Sequence, residues 1–226
     1  MLAALLPQCC VLCGGHGREN DSAAQGGILC AACRADLPLL DAPCCPVCAL
    51  PAPAAQPCGA CLRTPPHFDA TQARYRYAFP LDRLLQHYKY GQRLLVGAIF
   101  DCALLHGTNA DAVIAVPSTP THLKERGFNP ALELARPLAR ALKLPLLLDA
   151  VSRPHDAPAQ ASLPWKDRHK NMRNAFACRT DLSGRRIIVV DDVMTTGATL
   201  NELARTLKRH GAVYVENRVV ARALKE

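Results

Sequence analysis

The stretch VVDDVMTTGATL, Val189 to Leu200, sets two carboxylates directly before a loop of small, hydroxyl-bearing residues around one glycine. Ile187 to Val190 is a continuous apolar run, the pattern of a strand buried on both faces. Asp191 and Asp192 therefore fall at its carboxyl end, where open α/β sheets take their ligands. Beyond the loop, Leu200, Leu203, Ala204 and Leu207 recur at helical spacing. Thr195, Thr196, Gly197, Ala198 and Thr199 thus lead into a helix N-terminus, whose exposed N–H groups favour an anion. Gly197 lets a phosphate approach closely, and the threonines add hydroxyl donors. The acids should repel such an anion, but they accept hydrogen bonds well from a vicinal diol. A ribose 5-phosphate meets both demands. The loop lacks the GK[ST] ending of a Walker A motif. The competing structural reading is a strand–turn–helix junction whose acids merely cap the helix.

A second chemistry lies upstream. Ten of the twelve cysteines precede residue 62, and eight of them form CxxC pairs: Cys10 with Cys13, Cys30 with Cys33, Cys45 with Cys48, and Cys58 with Cys61. Each pair offers two thiolates on one edge of a tetrahedron, so four pairs make two structural Zn²⁺ sites. Sequential pairing puts Cys10, Cys13, Cys30 and Cys33 on one ion and Cys45, Cys48, Cys58 and Cys61 on the other. Spacing also permits a crossed arrangement, and Cys9 and Cys44 stand where each could replace a ligand. A disulfide framework is the alternative, disfavoured in the cytoplasmic setting this sequence suggests.

The elements that must position these groups divide the chain. Residues 1–64 are rich in Cys, Pro, Gly and Ala with little apolar periodicity, and need metal to fold. Residues 67–226 read as an α/β domain. ARYRYAF alternates Tyr75, Tyr77 and Phe79 against Arg74 and Arg76, as in a half-buried strand. Leu81, Leu84, Leu85 and Tyr88 have helical spacing, and LLVGAIFDCALLHG continues as a buried helix. DAVIAVP is a short strand. A helix is predicted over 129–143, opened by Asn129 and Pro130 and kinked at Pro137. LPLLLDAV reads as a strand, 152–175 as a basic loop, RRIIVVDD (185–192) as a strand, 197–210 as a helix, and AVYVENRVVAR as the last strand. The net charge is +8, yet residues 1–66 hold three arginines against four acids. The basic character belongs to the second part, as expected for a partner of phosphates or polyanions. No apolar run is long enough to span a bilayer, and the start lacks a signal-peptide pattern, so the expectation is a cytoplasmic protein with no membrane insertion.

VVDDVMTTGATL resembles the phosphoribosyl pyrophosphate (PRPP) motif of type I phosphoribosyltransferases. HYKYG (His87 to Gly91), VIAVP…KERGFNP (Val113 to Pro130), and Gln160, Leu163, Arg168, Asn171 and Phe176 narrow the likeness. Together with the CxxC pairs they make the chain similar to the ComF/GntX family. That resemblance implies a mostly parallel sheet with helices on both faces, preceded by a double zinc ribbon. One departure is Pro130, where the family usually has glutamine.

The resemblance further implies that Asp191 and Asp192 hold the ribose diol while Thr195 to Thr199 hold the 5′-phosphate. Pyrophosphate, with Mg²⁺, would meet the loop at Pro117 to Thr119, including Ser118, with Arg126 the favoured cation of that connection and Lys124 a second. Lys89 either reaches phosphate or points to solvent. Gln160, Arg168 and Asn171 stand in the basic loop as candidates to read the acceptor or close the pocket. Thr195 stands where oxopurine salvage enzymes of this fold carry an acidic base, which argues against that reaction. Cys9 and Cys10 belong to the metal pattern, which leaves no N-terminal nucleophile of the glutamine-amidotransferase kind. The family likeness implies a link to DNA uptake, so a second reading is a PRPP or nucleotide sensor that contacts single-stranded DNA, DNA-uptake proteins or a helicase. Aromatics Tyr75, Tyr77, Phe79, Tyr88 and Tyr90, interleaved with Arg74, Arg76, Lys89 and Arg93, are what such a strand would stack on. Period two favours a core role for the first three.

Overall fold

The computed structural model describes residues 9–15, 29–89, 107–154 and 175–224. At its centre is a four-stranded, wholly parallel sheet. It is built from β1 (Ala70–Arg76), β2 (Ala112–Ala115), β5 (Arg186–Met194) and β6 (Tyr214–Arg222) in the order β1-β6-β5-β2. A parallel sheet needs both faces covered, and the strands supply an apolar side chain to each. In β5, Ile187 and Val189 enter one core while Ile188 and Val190 enter the other.

The first core is closed by α6 (Ala198–Arg209), which buries Leu200, Leu203, Ala204 and Leu207. The second is closed by α3 (Leu81–Lys89) and α5 (Pro130–Leu142). The leucine spacing expected for α3 holds: Leu81, Leu84, Leu85 and Tyr88 are all buried. Helix α5 opens with the side chain of Asn129 accepting from the Ala131 N–H at 3.1 Å and ends at Lys143 in the left-handed conformation. It runs through Pro137 as one element. A short helix α4 (Pro120–Arg126) follows β2 and ends at Gly127, whose φ of 72° lies in the left-handed region that glycine enters most readily.

The cysteine-rich segment is not a loose appendage. Two short helices, α1 (Ala31–Ala35) and α2 (Gly59–Arg63), begin directly after Cys30 and Cys58. Cys45 and Cys48 pack into the first core, and Cys10 packs into the second beside Leu37 and Tyr75. The two ribbons thus flank β1, one on each face. The link between them covers that strand's edge: Leu40 N–H donates to Arg74 O at 3.0 Å and Arg76 N–H to Pro38 O at 2.8 Å. Unpaired edges invite association, and the opposite edge is covered too, where Val113 N–H donates to Pro145 O and Leu147 N–H to Val113 O, both at 2.9 Å.

Here the segment expected as the strand LPLLLDAV resolves into a bridge at Leu146 and the two-residue β3 (Val151–Ser152). β3 pairs antiparallel with β4 (Ala177–Cys178) in a separate small sheet. The strand expected through Phe79 stops at Arg76; Tyr75 is buried, whereas Phe79 is exposed. The helix expected after Tyr90 lies outside the described residues.

Candidate functional site

The site arises where β2 parts from β5. Their pairing ends at Ala115 and Val190, with one more bond from Val116 N–H to Val190 O at 2.9 Å. Pro117 has no N–H to continue the ladder. β5 nevertheless goes on pairing with β6 as far as Met194 and Arg222. Asp191 and Asp192 therefore line a sheet edge that opens as β2 turns away through Pro117 and Ser118. Asn129 fixes that turn, donating from Nδ2 to Val116 O at 3.0 Å. Thr119 caps α4, its hydroxyl accepting from the His122 N–H at 3.3 Å.

The acids are partly satisfied by their own backbone. Asp191 Oδ1 accepts from the Asp192 N–H at 2.9 Å, and Asp192 Oδ1 from the Val193 N–H at 2.7 Å. Lys89 Nζ stands 2.8 Å from Asp192 Oδ2, both side chains largely buried. Burial alone would lower the Lys89 pKa, but the charge and hydrogen bond of Asp192 carry it above the usual lysine value, with Arg126 opposing. Asp191 is pushed up to about 8 by desolvation and then by the Asp192 charge, against the pull of the Asp192 N–H and Lys89. The upward shift of Asp191 and the Lys89–Asp192 ion pair both act to lower the negative charge of the pair, and so to lessen the repulsion that two bare carboxylates would exert on a phosphate nearby. Each carboxylate oxygen still has a lone pair for a hydroxyl.

The loop follows at once. Thr195 is exposed, and Thr196 Oγ1 accepts from the Ala198 N–H at 3.0 Å. Gly197 is the N-cap of α6 with φ 79° and brings no capping side chain, so that beyond the Ala198 N–H held by Thr196 the first turn of this twelve-residue helix has no side-chain cap from its N-cap residue. The left-handed φ favours glycine here, and a Cβ would lie 2.6 Å from Met194 Cε, so the methionine methyl would have to move to admit one. Between this loop and α2 lies a cavity of about 410 Å³, walled by Leu50, Arg63, Thr64, Phe68, Asn201 and the loop itself. That volume is in the range of small-molecule pockets.

The eight ligand-spaced cysteines resolve into two clusters, Cys10, Cys13, Cys30, Cys33 and Cys45, Cys48, Cys58, Cys61, the sulfurs in each within 4.8 Å of one another. The sequential pairing is the one adopted. The Cys13 and Cys30 sulfurs are 3.9 Å apart and those of Cys48 and Cys58 3.6 Å, near the roughly 3.8 Å edge of a tetrahedron with Zn–S of about 2.3 Å. None of the described cysteines forms a disulfide. Backbone N–H groups point at sulfur, Cys33 N to Cys30 Sγ at 3.4 Å and Cys58 N to Cys45 Sγ at 3.3 Å, as suits thiolate. Both first knuckles share one turn, in which the first cysteine's N–H donates five residues ahead, to Gly15 O or Leu50 O, each at 2.8 Å. Cys44 stands outside, its Sγ donating to Ala42 O at 3.1 Å. The donor set fits zinc.

Residues 1–62 match the double zinc ribbon domain family, and residues 125–225 match the phosphoribosyl transferase domain family. The DNA utilization protein YhgH of Escherichia coli K12 is 34% identical over 191 residues, covering 80% of this chain and 84% of that protein. Competence protein F of Haemophilus influenzae is 35% identical over 182 residues, covering 75% and 80%. The chain belongs to the ComF/GntX family. Two ComF/GntX motifs far apart in sequence meet here. The Tyr88 hydroxyl donates to Pro130 O at 2.7 Å, and the Tyr88 and Phe128 rings sit edge to face with centroids 5.9 Å apart. This contact delivers Lys89 to Asp192. Pro130 opens α5 and accepts through its carbonyl, so the departure at that position leaves the helix start intact.

The structure brings Asp191, Asp192, Lys89 and Arg126 into one electrostatic group, beside the 195–199 loop and across from Pro117 and Ser118. Gln160, Arg168 and Asn171 lie outside the described residues, as do Tyr90 and Arg93. Among the aromatics named for strand stacking, Tyr75 and Tyr88 are buried and Phe79 is exposed next to exposed Arg74 and Arg76. Sequence reasoning missed Arg222. It is 4% exposed at the end of β6, and its guanidinium donates to Cys48 O, Met194 O, Thr195 O and Ala223 O. An arginine closing an apolar strand was the available signal, but nothing in the sequence names its partners.

Proposed function

We propose that this site binds PRPP as a Mg²⁺ complex. The ribose diol lies on Asp191 and Asp192, and the 5′-phosphate on the N–H groups and hydroxyls of Thr195 to Thr199. The leaving pyrophosphate faces Pro117, Ser118 and Arg126. The observation that carries this reading is a single juxtaposition: two carboxyl groups, that of Asp192 paired with Lys89, stand where β2 leaves β5, directly before the N-terminus of α6. Such an arrangement suits a ligand with a diol at one end and a phosphate at the other. Mg²⁺ would supply charge to the departing pyrophosphate. Arg126 would add to it, and the acids would orient the sugar as bonding at C1′ loosens. The loop offers no acidic base, so the acceptor is a nucleophile that needs none from it, and the cavity beside the loop is the space we assign to that acceptor. The curated relatives' names link them to DNA utilization and competence, and we infer that this chain serves the same process.

The test is calorimetric titration of zinc-loaded protein, with Mg²⁺, using PRPP, ribose 5-phosphate and 2-deoxyribose 5-phosphate. The diol reading predicts that removing the 2-hydroxyl weakens binding by tenfold or more relative to ribose 5-phosphate. Equal affinity for the two sugars would refute it. Pyrophosphate release from PRPP in the presence of candidate acceptors then separates a transferase from a sensor.

A further inference from the structure

Arg222 joins the second ribbon to the paired ends of β5 and β6, where Met194 lies opposite Arg222 in the ladder and the Ala223 N–H donates to Met194 O at 3.0 Å. From the buried end of β6 its Nε donates to Cys48 O at 2.8 Å, inside the first knuckle of the second ribbon. Its Nη1 donates to Met194 O at 2.9 Å, to Thr195 O, and to Ala223 O at 2.8 Å. Met194 and Thr195 are the two residues through which the chain enters the phosphate loop. A planar guanidinium can hold several acceptors in fixed relative positions, which a lysine cannot do.

The carbonyl that Arg222 reaches on the ribbon side belongs to Cys48, itself a member of the second cluster, so the placement of that acceptor follows the geometry of the cluster. A second tether runs alongside: His67 N–H donates to Asn201 Oδ1 at 2.6 Å, tying the chain that leaves the second ribbon to the first turn of α6. Phe68 and Met194 pack beneath Gly197. The first ribbon lies on the other side of the sheet, where Cys10 packs with Tyr75, α3 and α5 in the second core.

We propose that Arg222 is a positioning residue through which zinc in the second cluster sets the shape of the phosphate loop, while zinc in the first cluster does not. The second metal site is then part of the ligand site's architecture rather than only a fold element. The ligand arm of this inference rests on the PRPP reading; the loop arm does not.

Three variants separate the arms: Arg222→Lys, Cys58→Ser in the second cluster and Cys13→Ser in the first. Each is measured for zinc content by plasma mass spectrometry, for hydrogen exchange of the peptide spanning residues 194–200, and for PRPP binding. Arg222→Lys should retain both zinc ions, raise exchange in that peptide tenfold or more without change in the α5 peptides, and weaken PRPP binding at least tenfold. Cys58→Ser should lose one zinc and show the same loop exchange. Cys13→Ser should lose one zinc and leave the loop protected. Unchanged loop exchange in Arg222→Lys, or equal loop exchange in the two cysteine variants, overturns the proposal. Should Cys58→Ser fail to fold, Arg222→Lys decides alone. If wild type ignores PRPP while the exchange pattern holds, the PRPP reading fails and the clamp stands.

Discussion

Replacing Asp191 by asparagine should make the protein more stable, and increasingly so as pH rises. In the folded chain the Asp191 carboxyl is pushed up to about 8 by desolvation and the Asp192 charge. Unfolded, it titrates near 3.9. A carboxyl whose folded pKa lies above its unfolded one favours the fold fully below about pH 4, and that favour is lost as pH rises through about 8. Each pH unit in that window is worth about 1.4 kcal/mol, so between pH 5.5 and 8 the penalty grows by at most about 3 kcal/mol. The asparagine amide cannot ionise and escapes it. The assay is urea unfolding of zinc-loaded protein followed by circular dichroism at both pH values. With a urea slope of about 2–3 kcal/mol/M, Asp191→Asn should gain on wild type by about 1 M in midpoint over this range. Groups common to the two proteins cancel in the difference. Parallel midpoints at the two pH values would refute the electrostatic account of the pair. A stabilising substitution at a binding site is the expected signature of groups kept for function at a cost in stability.

Other perturbations act on neighbouring parts. Lys89→Met strips Asp192 of a largely buried partner 2.8 Å away; it should cost about 2–3 kcal/mol at neutral pH, and a double-mutant cycle with Asp192→Asn should recover part of that loss by urea titration. Gly197→Ala forces a side chain onto a backbone at φ 79° and against Met194; it should destabilise by about 1–2 kcal/mol and abolish ribose 5-phosphate binding in calorimetry. Native mass spectrometry should find two zinc ions per chain. Because the clusters pack into both cores of the sheet, a strong chelator should lower the melting temperature of the whole chain in one transition rather than release the ribbon alone.

Much of this was legible in the sequence because it is encoded locally. The apolar run Ile187–Val190, the acids after it and the leucine spacing of α6 fix a strand, a ligand edge and a helix start within one short stretch. The CxxC spacings specify tetrahedral half-sites, although only the folded chain shows that they pair in sequence. What escaped depends on contacts across the chain. Leu144 to Val151 read as a strand, but a segment's apolar character does not say whether a partner edge is long enough to hold it, and Leu148 is 55% exposed. Lys89 looked equally suited to phosphate or solvent; its approach to Asp192 follows from Tyr88 docking on Phe128 and Pro130. Arg222 reaches a carbonyl 174 residues away, and a side chain bonded to backbone leaves no mark on the identity of its partner.

The central claim, a diol-and-phosphate site for PRPP, is tested most directly by titrating PRPP with Mg²⁺ into zinc-loaded wild type and into the Asp191→Asn/Asp192→Asn double variant. The account predicts saturable one-to-one binding to wild type and none to a folded double variant that retains both zinc ions. Absence of binding to wild type, or equal binding to both proteins, would contradict it.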